Sequence, residues 1–374
     1  MKIDYWNFHR DYRNNKTSYN NIFKKVLNSK SLILGPEVRN LEKRIPRYLG
    51  SKFGVGVNSC TDALLISILS LGIKKNDEII TTSNTAIPTV SAIVSSGANP
   101  VFVDIKESDY LIDENKIEQK ISKKTKAIVV VHLYGQSPNM DKILKISRRH
   151  NLKIIEDCAQ SFGATYKGKK LGSLGDISAI SFYPTKILGT FGDGGMIVTK
   201  NKNLFKKSKM IRFYGVENEY KSIIHGLNSR LDEIQAAILN FKLKKIDKKI
   251  SLRRKIAEFY NKNIINKKII LPLENTHNSH VYYNYVIRVN NRNKLIKYLN
   301  QNRISTKIIY PYPIHKMKPY SKYNNSKLKF TENLSKKILS LPIYPELTQN
   351  EQKRIVKIIN KFDERNHKKY IKKI

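Results

Sequence analysis

The chain has 374 residues, of which 40% are hydrophobic and 27% charged. This length and composition suit a folded protein with one large domain and a smaller one. There is no apolar run of about 18 residues or more, which excludes a transmembrane helix, and the first residues lack the apolar stretch of a secretory signal peptide. Two cysteines, Cys60 and Cys158, are too few for a disulfide framework. We therefore expect a cytoplasmic protein.

The net charge is +40, and most of it lies in residues 201–374, which hold 40 lysines and arginines against 12 aspartates and glutamates. Such an excess can indicate nucleic-acid binding. However, the sequence is also rich in asparagine, isoleucine and tyrosine, and it has no zinc finger, RNP motif or basic zipper. We interpret the charge as a solvated lysine-rich surface, or as a basic rim that attracts an anionic small substrate.

Residues 52–200 alternate short apolar runs with helical patterns, which is typical of a mostly parallel α/β sheet. Helices are expected at Asp62–Leu71 and Pro88–Ser96. The predicted strands are Phe53–Val57, Glu78–Thr82, Asn99–Val103, Thr125–Val131, Leu152–Glu156, Ile177–Phe182 and Gly195–Thr199.

A single long helix is predicted at about 228–261, where apolar residues recur at helical spacing. Because so long a helix usually joins two domains, we expect a large α/β domain at 1–245 and a smaller C-terminal α/β domain at 246–374. Residues 368–374 are expected to form a frayed basic end. The elements predicted in the C-terminal part are a strand (Val281–Val289), a helix (Arg292–Asn300), a second strand (Ile304–Ile309), a Pro/Tyr-rich loop (Tyr310–Tyr320) and a final helix (Gln349–Phe362).

Three segments could bind a ligand. The first predicted strand leads into Ser59-Cys60-Thr61 at the start of a helix. The first N–H groups of a helix have no partner within it and attract anions, so this turn can hold a phosphate. An ordinary helix N-cap is the alternative.

The other two segments follow later strands. An acid such as Asp157, directly after an apolar strand, can pair with a protonated ring nitrogen, bind a metal or cap a helix. Ser181 ends the next strand, and Lys186 follows among glycines, where a lysine with few charged neighbours can act as a nucleophile. Together the three segments place a phosphate site, an acid, a hydroxyl and a lysine on one rim of the sheet. A pyridoxal phosphate enzyme requires this combination.

Five segments resemble those of the DegT/StrS-type nucleotide-sugar aminotransferases, in the family's order from about Gly35 to Tyr320: SCTDAL, VHLYGQ, EDCAQSFGA, SFYPTKILGTFGDGG and GLNSRLDEIQAAIL. The resemblance implies a fold-type I aminotransferase that uses pyridoxal 5′-phosphate and forms a homodimer with shared active sites. It implies that Lys186 forms the Schiff base with the cofactor, that Asp157 pairs with the pyridine nitrogen and that Gln160 lies against the cofactor.

The same resemblance places Cys60, Thr61 and Ser181 around the cofactor phosphate, which Asn228 reaches from the partner subunit. The sequence departs from the family at Cys60, where the family usually has glycine. It departs again at Ala86, where the family often has an aromatic residue stacked on the pyridine ring.

Tyr183, Arg230 and His315 are candidate substrate contacts. The alternatives are that Arg230 pairs with an acid and that His315 packs within its own loop. No metal site is expected, because the H-x-x-H pair of His277 and His280 has no cysteines or clustered acids beside it.

We interpret the protein as a pyridoxal phosphate-dependent aminotransferase that transfers an amino group from glutamate to a nucleotide-linked keto-deoxyhexose, with dTDP as the expected nucleotide. One alternative is a sugar dehydratase of the same fold, but the deoxygenating relatives carry histidine where this chain has Lys186. The other is a basic regulatory or nucleic-acid-binding protein without catalytic activity, which the intact set of site residues argues against. The sequence does not distinguish amination at C3 of the sugar from amination at C4.

Overall fold

The computed structural model describes residues 2–218, 221–324 and 327–363, so the tail at 368–374 lies outside the described residues. The helices are α1 (Phe8–Asn28), α2 (Pro36–Leu49), α3 (Cys60–Ser70), α4 (Ile87–Ser95), α5 (Met140–Arg149), α6 (Lys202–Arg212), α7 (Glu233–Leu243), α8 (Ile246–Asn263), α9 (Arg292–Gln301), α10 (Lys329–Lys337) and α11 (Gln349–Asn360). The strands are β1 (Phe53–Val57), β2 (Glu78–Thr82), β3 (Asn99–Val103), β4 (Thr125–Val131), β5 (Lys153–Asp157), β6 (Thr165–Tyr166), β7 (Lys169–Lys170), β8 (Ile177–Ser181), β9 (Gly195–Thr199), β10 (Val216–Asn218), β11 (Lys221–Ser222), β12 (Asn278–Ser279), β13 (Tyr285–Arg288) and β14 (Ile338–Leu341). No helix in the described ranges is both long and apolar enough to cross a membrane.

The main sheet has seven strands in the order β1-β9-β8-β5-β4-β2-β3. The pairs among β8, β5, β4, β2 and β3 are parallel, whereas β9 is antiparallel to both of its neighbours. Strands covered by helices on both sides are apolar along their length, which is why their sequences read as continuous hydrophobic runs. The sequence predicted all seven strands, with one-residue shifts at β5 and β8, and the prediction of a mostly parallel α/β sheet is confirmed.

The direction of β9 brings several strand ends to one edge of the sheet. Because β9 is antiparallel to β1 and β8, its first residue, Gly195, pairs with the last residue of each, Val57 and Ser181. Asp157, the last residue of β5, pairs with Ala179 of β8. The carboxyl ends of β1, β5 and β8 therefore meet at a single edge, where α/β proteins place their ligands.

The N-terminal helices pack on α7, and one buried carboxylate links them. Glu233, the first residue of α7, accepts hydrogen bonds from the backbone N–H groups of Glu37 and Val38, each at 2.8 Å. These N–H groups belong to the first turn of α2, which has no side-chain cap of its own. A Cβ at Gly35 would lie 2.8 Å from the Glu233 Cδ, so a glycine there permits the close approach.

The structure has two helices where the sequence predicts one long helix at about 228–261, so the prediction of a single helix is wrong. Asn228 forms a β-bridge with Phe213, and Asp232 is also extended, so α7 begins only at Glu233. The helix is interrupted after Leu243, and Lys245 has non-helical backbone angles. α7 packs against α1 and α2, whereas α8 packs against α11. The interruption thus separates segments with different packing partners.

A separate hydrophobic cluster lies in the C-terminal part and contains Tyr260, Tyr285, Leu341 and also Ile3. Ile3 belongs to it because the N-terminal segment forms a parallel bridge with Ile304. The predicted strand at 304–309 is limited to isolated bridges, the strand predicted at 281–289 is shortened to β13, and the last helix ends at Asn360. The predicted boundary at 245/246 coincides with the break between α7 and α8, and the division into two domains stays a prediction.

Candidate active site

The turn between β1 and α3 presents free backbone donors at the sheet edge. The Ser59 hydroxyl accepts a hydrogen bond from the Asp62 N–H at 3.1 Å and forms the N-cap. The first backbone hydrogen bond of the helix runs from the Ala63 N–H to the Ser59 carbonyl, so the earlier N–H groups of Cys60 and Thr61 have no intrahelical partner. A Cβ at Gly195 would lie 2.7 Å from the Cys60 nitrogen, so β9 passes directly against this turn. Ser181 pairs with Gly195 and therefore lies on the other side of β9 from the turn.

Asp157 provides a buried carboxylate at the same edge, with a relative exposure of 4%. One carboxylate oxygen accepts a hydrogen bond from the Thr89 hydroxyl at 2.8 Å, and the other accepts one from the Ala159 N–H at 3.1 Å. In the part of the chain that the structure describes, this carboxylate forms no ion pair with a lysine, arginine or histidine. A buried charge without a counter-charge is costly. The site is therefore suited to a cationic group supplied by a ligand.

The side-chain amide of Gln160 is held in one orientation beside Asp157. Its oxygen accepts a hydrogen bond from the Tyr134 N–H, and its nitrogen donates one to the Tyr310 hydroxyl, each at 2.8 Å. Burial raises the pKa of the Tyr310 and Tyr134 hydroxyls. Both hydroxyls therefore stay protonated at neutral pH and add no negative charge beside Asp157.

Lys186 lies on the loop that connects β8 and β9 and is half-buried. Its Nζ lies 4.6 Å from the centroid of the Tyr283 ring. The Thr185 and Tyr283 hydroxyls share a hydrogen bond of 2.9 Å. Burial raises the pKa of the Cys60 thiol, with a further increase from the charge of Asp157 and an opposing decrease from Lys186. The pairing of the strands brings the ends of β1, β5 and β8 to one edge, so the acid, the start of the lysine loop and this turn lie at the same edge.

A cavity of about 350 Å³ borders the lysine loop. Its wall includes Tyr183, which is 51% exposed, together with Lys186 and residues of the N-terminal segment and α8. Burial lowers the pKa of Lys242, another lining residue, to about 8, although the nearby Asp11 carboxylate raises it. The cavity gives a small molecule access to the lysine loop and places a second basic group beside it.

Residues 14–360 match the model of the DegT/DnrJ/EryC1/StrS aminotransferase family. The chain belongs to this family. It is 44% identical to the dTDP-3-amino-3,6-dideoxy-alpha-D-galactopyranose transaminase of Aneurinibacillus thermoaerophilus, in an alignment that covers 90% of this chain and 93% of that protein.

Two solved structures of aminotransferase relatives are similar over most of the chain. S. venezuelae DesV, solved in complex with a ketimine intermediate, has a TM-score of 0.93 and 34% sequence identity. The alignment covers 96% of this chain and 98% of the DesV chain. Bacillus subtilis NtdA, solved with bound PMP, has a TM-score of 0.88 and 32% sequence identity. The alignment covers 92% of this chain and 81% of the NtdA chain. The family assignment suggested by the sequence is confirmed, and the protein is a pyridoxal phosphate-dependent aminotransferase.

The residues at the sheet edge fit the cofactor of this family. A phosphate suits the N–H groups of Cys60 and Thr61, with the Ser181 hydroxyl across β9 at the same edge, because donors at a helix N-terminus favour an anion. A protonated pyridine nitrogen would give the buried carboxylate of Asp157 a counter-charge. The structure thus brings together six of the predicted residues: Cys60, Thr61, Asp157, Gln160, Ser181 and Lys186. Their roles toward the cofactor stay predictions.

Asn228 and Arg230 lie on the segment before α7 and do not line the cavity beside Lys186. Asn228 is exposed. Between them, the Ser229 hydroxyl donates a hydrogen bond of 3.1 Å to the Asn58 side chain, so this segment adjoins the start of the phosphate turn. The Arg230 guanidinium lies 5.5 Å from the centroid of the Phe213 ring.

His315 is fully buried, and both of its ring nitrogens have partners within the chain. Nδ1 lies 2.7 Å from the Ser83 hydroxyl and Nε2 lies 3.2 Å from the Glu332 carboxylate. In this structure the ring holds the Pro/Tyr-rich loop against the end of β2. The contact of His315 with substrate stays a prediction.

Sequence reasoning missed three side chains that hold the site residues: Thr89, Tyr283 and Tyr310. Tyr310 opens the Pro/Tyr-rich loop, and the density of aromatic residues there could have indicated a site. Thr89 and Tyr283 carry no local signal, because each contacts a site residue about seventy to a hundred positions away in the chain.

Proposed function

We propose that the protein is a nucleotide-sugar aminotransferase that transfers the amino group of glutamate to a dTDP-linked keto-deoxyhexose. The observation that carries the proposal is the convergence of Lys186, the buried carboxylate of Asp157 and the N-terminus of α3 at one edge of the sheet. The similarity to the Aneurinibacillus relative, a transaminase of a dTDP-linked 3-amino sugar, supports this class of substrate. The presence of Lys186 supports transamination over dehydration.

The chain offers a group for each part of the cofactor. The N–H groups of Cys60 and Thr61, with the hydroxyls of Thr61 and Ser181, would bind the phosphate. The carboxylate of Asp157 would bind the protonated ring nitrogen, and Gln160 would lie beside the ring. When bound, pyridoxal phosphate supplies an aldehyde that condenses with amines and a ring that accepts electrons.

Lys186 is proposed to move protons during the reaction. Once its amine is free, Nζ accepts the proton that leaves the α carbon of the donor and later returns a proton to a neighbouring carbon. When the amino group is then passed to the sugar, Lys186 Nζ moves the protons in the reverse order. Asp157, oriented by Thr89 and Ala159, would favour the protonated form of the ring nitrogen, because its buried carboxylate is only weakly screened by water.

The substrate proposal rests on the surroundings of the lysine loop. Tyr183 lies half-exposed in the wall of the cavity. Lys242 and Lys249 line the same cavity and pair there with Asp11 and Glu346, but together with Lys186 and Arg253 the basic lining residues outnumber these two acids. Positive side chains around a cavity raise the local concentration of an anionic ligand such as a sugar nucleotide diphosphate. We propose Tyr183, Arg230 and His315 as substrate contacts, with Arg230 contributed by a partner subunit.

An assay of the product tests the proposed reaction. The purified enzyme is incubated with glutamate and a panel of dTDP- and UDP-linked 3-keto and 4-keto sugars, and the products are identified by NMR. We expect 2-oxoglutarate and an amino sugar in equal amounts from a dTDP-linked keto-deoxyhexose, and the carbon that bears nitrogen distinguishes C3 from C4 amination. Formation of a deoxygenated sugar without a new C–N bond would instead indicate a dehydratase.

We also propose a homodimer in which Asn228 of one subunit binds the cofactor phosphate of the other. The exposed side chain of Asn228 supports this proposal. So do the exposed apolar side chains of Phe23, Leu27 and Leu32 on or just after α1, because clustered apolar residues on a surface often mark an interface.

Mixing two inactive variants tests the shared site. Lys186→Ala and Asn228→Ala chains are denatured together, refolded and compared with each variant refolded alone. In a mixed dimer one site carries both substitutions and the other carries neither, so we expect the mixture to recover up to about a quarter of wild-type activity when half of the dimers are mixed. Activity equal to the mean of the two parents, with mixed dimers detected by mass spectrometry, would mean that Asn228 acts within its own chain. The test requires that Asn228→Ala alone lose most activity, as expected for a charge-assisted phosphate contact.

A further inference from the structure

The amine of Lys186 rests against Tyr283, a residue to which the proposed function gives no role. Nζ lies 4.6 Å from the ring centroid, and both side chains are half-buried. The face of an aromatic ring is negative and attracts a cation, more strongly where water is partly excluded. The ring of Tyr283 is therefore placed to bind the lysine as an ammonium ion.

Three contacts hold Tyr283 and its backbone in place. The buried guanidinium of Arg253 donates a hydrogen bond of 3.2 Å to the Tyr282 carbonyl. The backbone at Tyr283 also passes close to Gly135, which has a φ of +116° and at which a Cβ would lie 3.1 Å from the Tyr283 nitrogen. The Tyr283 hydroxyl is bound to Thr185, the residue before the lysine. The ring is thus fixed relative to both the sheet edge and the lysine loop.

We propose that Tyr283 is a positioning residue for Lys186, whose ammonium form it holds on the face of its ring between the two proton transfers. This inference rests on the proposed function, in which Lys186 Nζ is the proton carrier. As Nζ accepts the proton from the α carbon of the donor it becomes positively charged, while the electron pair of the broken C–H bond stays with the donor and cofactor. The ring stabilises that charge without a carboxylate that could compete for the proton.

The first experiment measures the contact itself, in the full-length protein freed of cofactor. Lys186 is acylated at neutral pH with an amine-specific reagent, and the rate is measured by mass spectrometry for the wild type, Tyr283→Phe, Tyr283→Leu and phenylalanine analogues with one to four fluorines at position 283. Only the uncharged amine reacts, and fluorine weakens the negative face of the ring without changing its shape. We expect Tyr283→Phe to react within about twofold of the wild type, the rate to rise with each fluorine, and Tyr283→Leu to react about threefold to tenfold faster.

A matched control is available at Tyr323, where Lys322 Nζ lies 5.1 Å from the ring centroid away from the site. Tyr323→Leu should leave the acylation of Lys186 unchanged. If the rate at Lys186 does not depend on the number of fluorines, the ring does not hold the ammonium ion and the proposal fails, whatever the activity of the enzyme.

The second experiment uses the cofactor-loaded enzyme in a single turnover with glutamate, followed by the loss of the yellow colour. For Tyr283→Leu we expect a rate about fivefold to thirtyfold lower, a larger isotope effect with α-deuterated glutamate, an unchanged half-saturating glutamate concentration, and recovery of most of the rate in Tyr283→Phe. If acylation depends on fluorine but the turnover rate and isotope effect do not change, Tyr283 binds the lysine without helping proton transfer, and its role in the reaction is refuted. Failure of the proposed function itself would instead appear as an active Lys186→Ala enzyme.

Discussion

Lys186→Ala is expected to lower the transamination rate by at least about 10³-fold while the protein stays folded. The substitution removes both the amine that attaches the cofactor and the group that moves the protons, and a positioned acid–base group alone contributes about 10²- to 10⁴-fold. The half-buried lysine makes no ion pair in the described part of the chain that its loss would disrupt. Initial rates with glutamate and the keto sugar, together with circular dichroism, provide the measurement.

Lys206→Ala is a matched control, since Lys206 is an exposed lysine on α6 and does not line the cavity beside Lys186. It should behave as the wild type. Borohydride should bleach the yellow wild-type enzyme and add the mass of the reduced cofactor to the peptide that contains Lys186, with no such addition in Lys186→Ala. Turnover near the wild-type level without an added amine would show that a different residue attaches the cofactor.

Asp157→Asn is expected to bind the cofactor weakly and to lose about 10²- to 10³-fold in turnover, similar to the removal of one preorganised charge contact from an active site. The amide has nearly the same shape as the carboxylate, so the Thr89 hydroxyl can still donate to its oxygen. It carries no charge, however, and can no longer stabilise a protonated ring nitrogen. Cofactor retention after gel filtration and the rate at saturating glutamate measure the two effects separately.

Asp141→Asn is the corresponding control, because Asp141 is an exposed acid on α5 that pairs with Lys167 at the surface. We expect no change in cofactor retention or rate. Near-normal turnover in Asp157→Asn would mean that another acid pairs with the ring nitrogen.

The central sheet could be predicted from the sequence because each strand is a short apolar run that ends in polar or small residues. Strand ends then located Asp157, Ser181 and Lys186, since residues that follow neighbouring parallel strands must meet at one edge. This part of the site depends only on local pattern and sheet topology. The helix start at Ser59-Cys60-Thr61 added a possible phosphate site by the same local reasoning, and the family resemblance added the individual roles of Cys60, Thr61, Gln160 and Asn228 toward the cofactor.

The rest of the site could not be predicted because it depends on contacts between distant segments. The apolar spacing continues across Lys244 and Lys245, so periodicity alone gives no sign of the break between α7 and α8. Asn228 lies in an extended segment because it pairs with Phe213, and a helical pattern in its own neighbourhood cannot reveal that bridge. Likewise, the burial of His315 depends on Glu332 and on Ser83, which lies more than two hundred residues earlier.

The antiparallel course of β9 also determines how far the lysine can move. Residues 182–194 leave the sheet at Ser181 and return to it at Gly195, and these two residues pair across the strands. Inside the loop, the Phe182 N–H donates a hydrogen bond to the Gly194 carbonyl, and the Phe182 carbonyl accepts one from the Thr190 N–H, each at 2.8 Å. The segment that carries Lys186 is thus a short loop closed by backbone hydrogen bonds. It has little conformational entropy left to lose when the lysine amine binds the cofactor. Its length sets the reach of the amine, so an insertion or deletion between 187 and 193 would displace the reactive nitrogen even with every cofactor-binding residue intact.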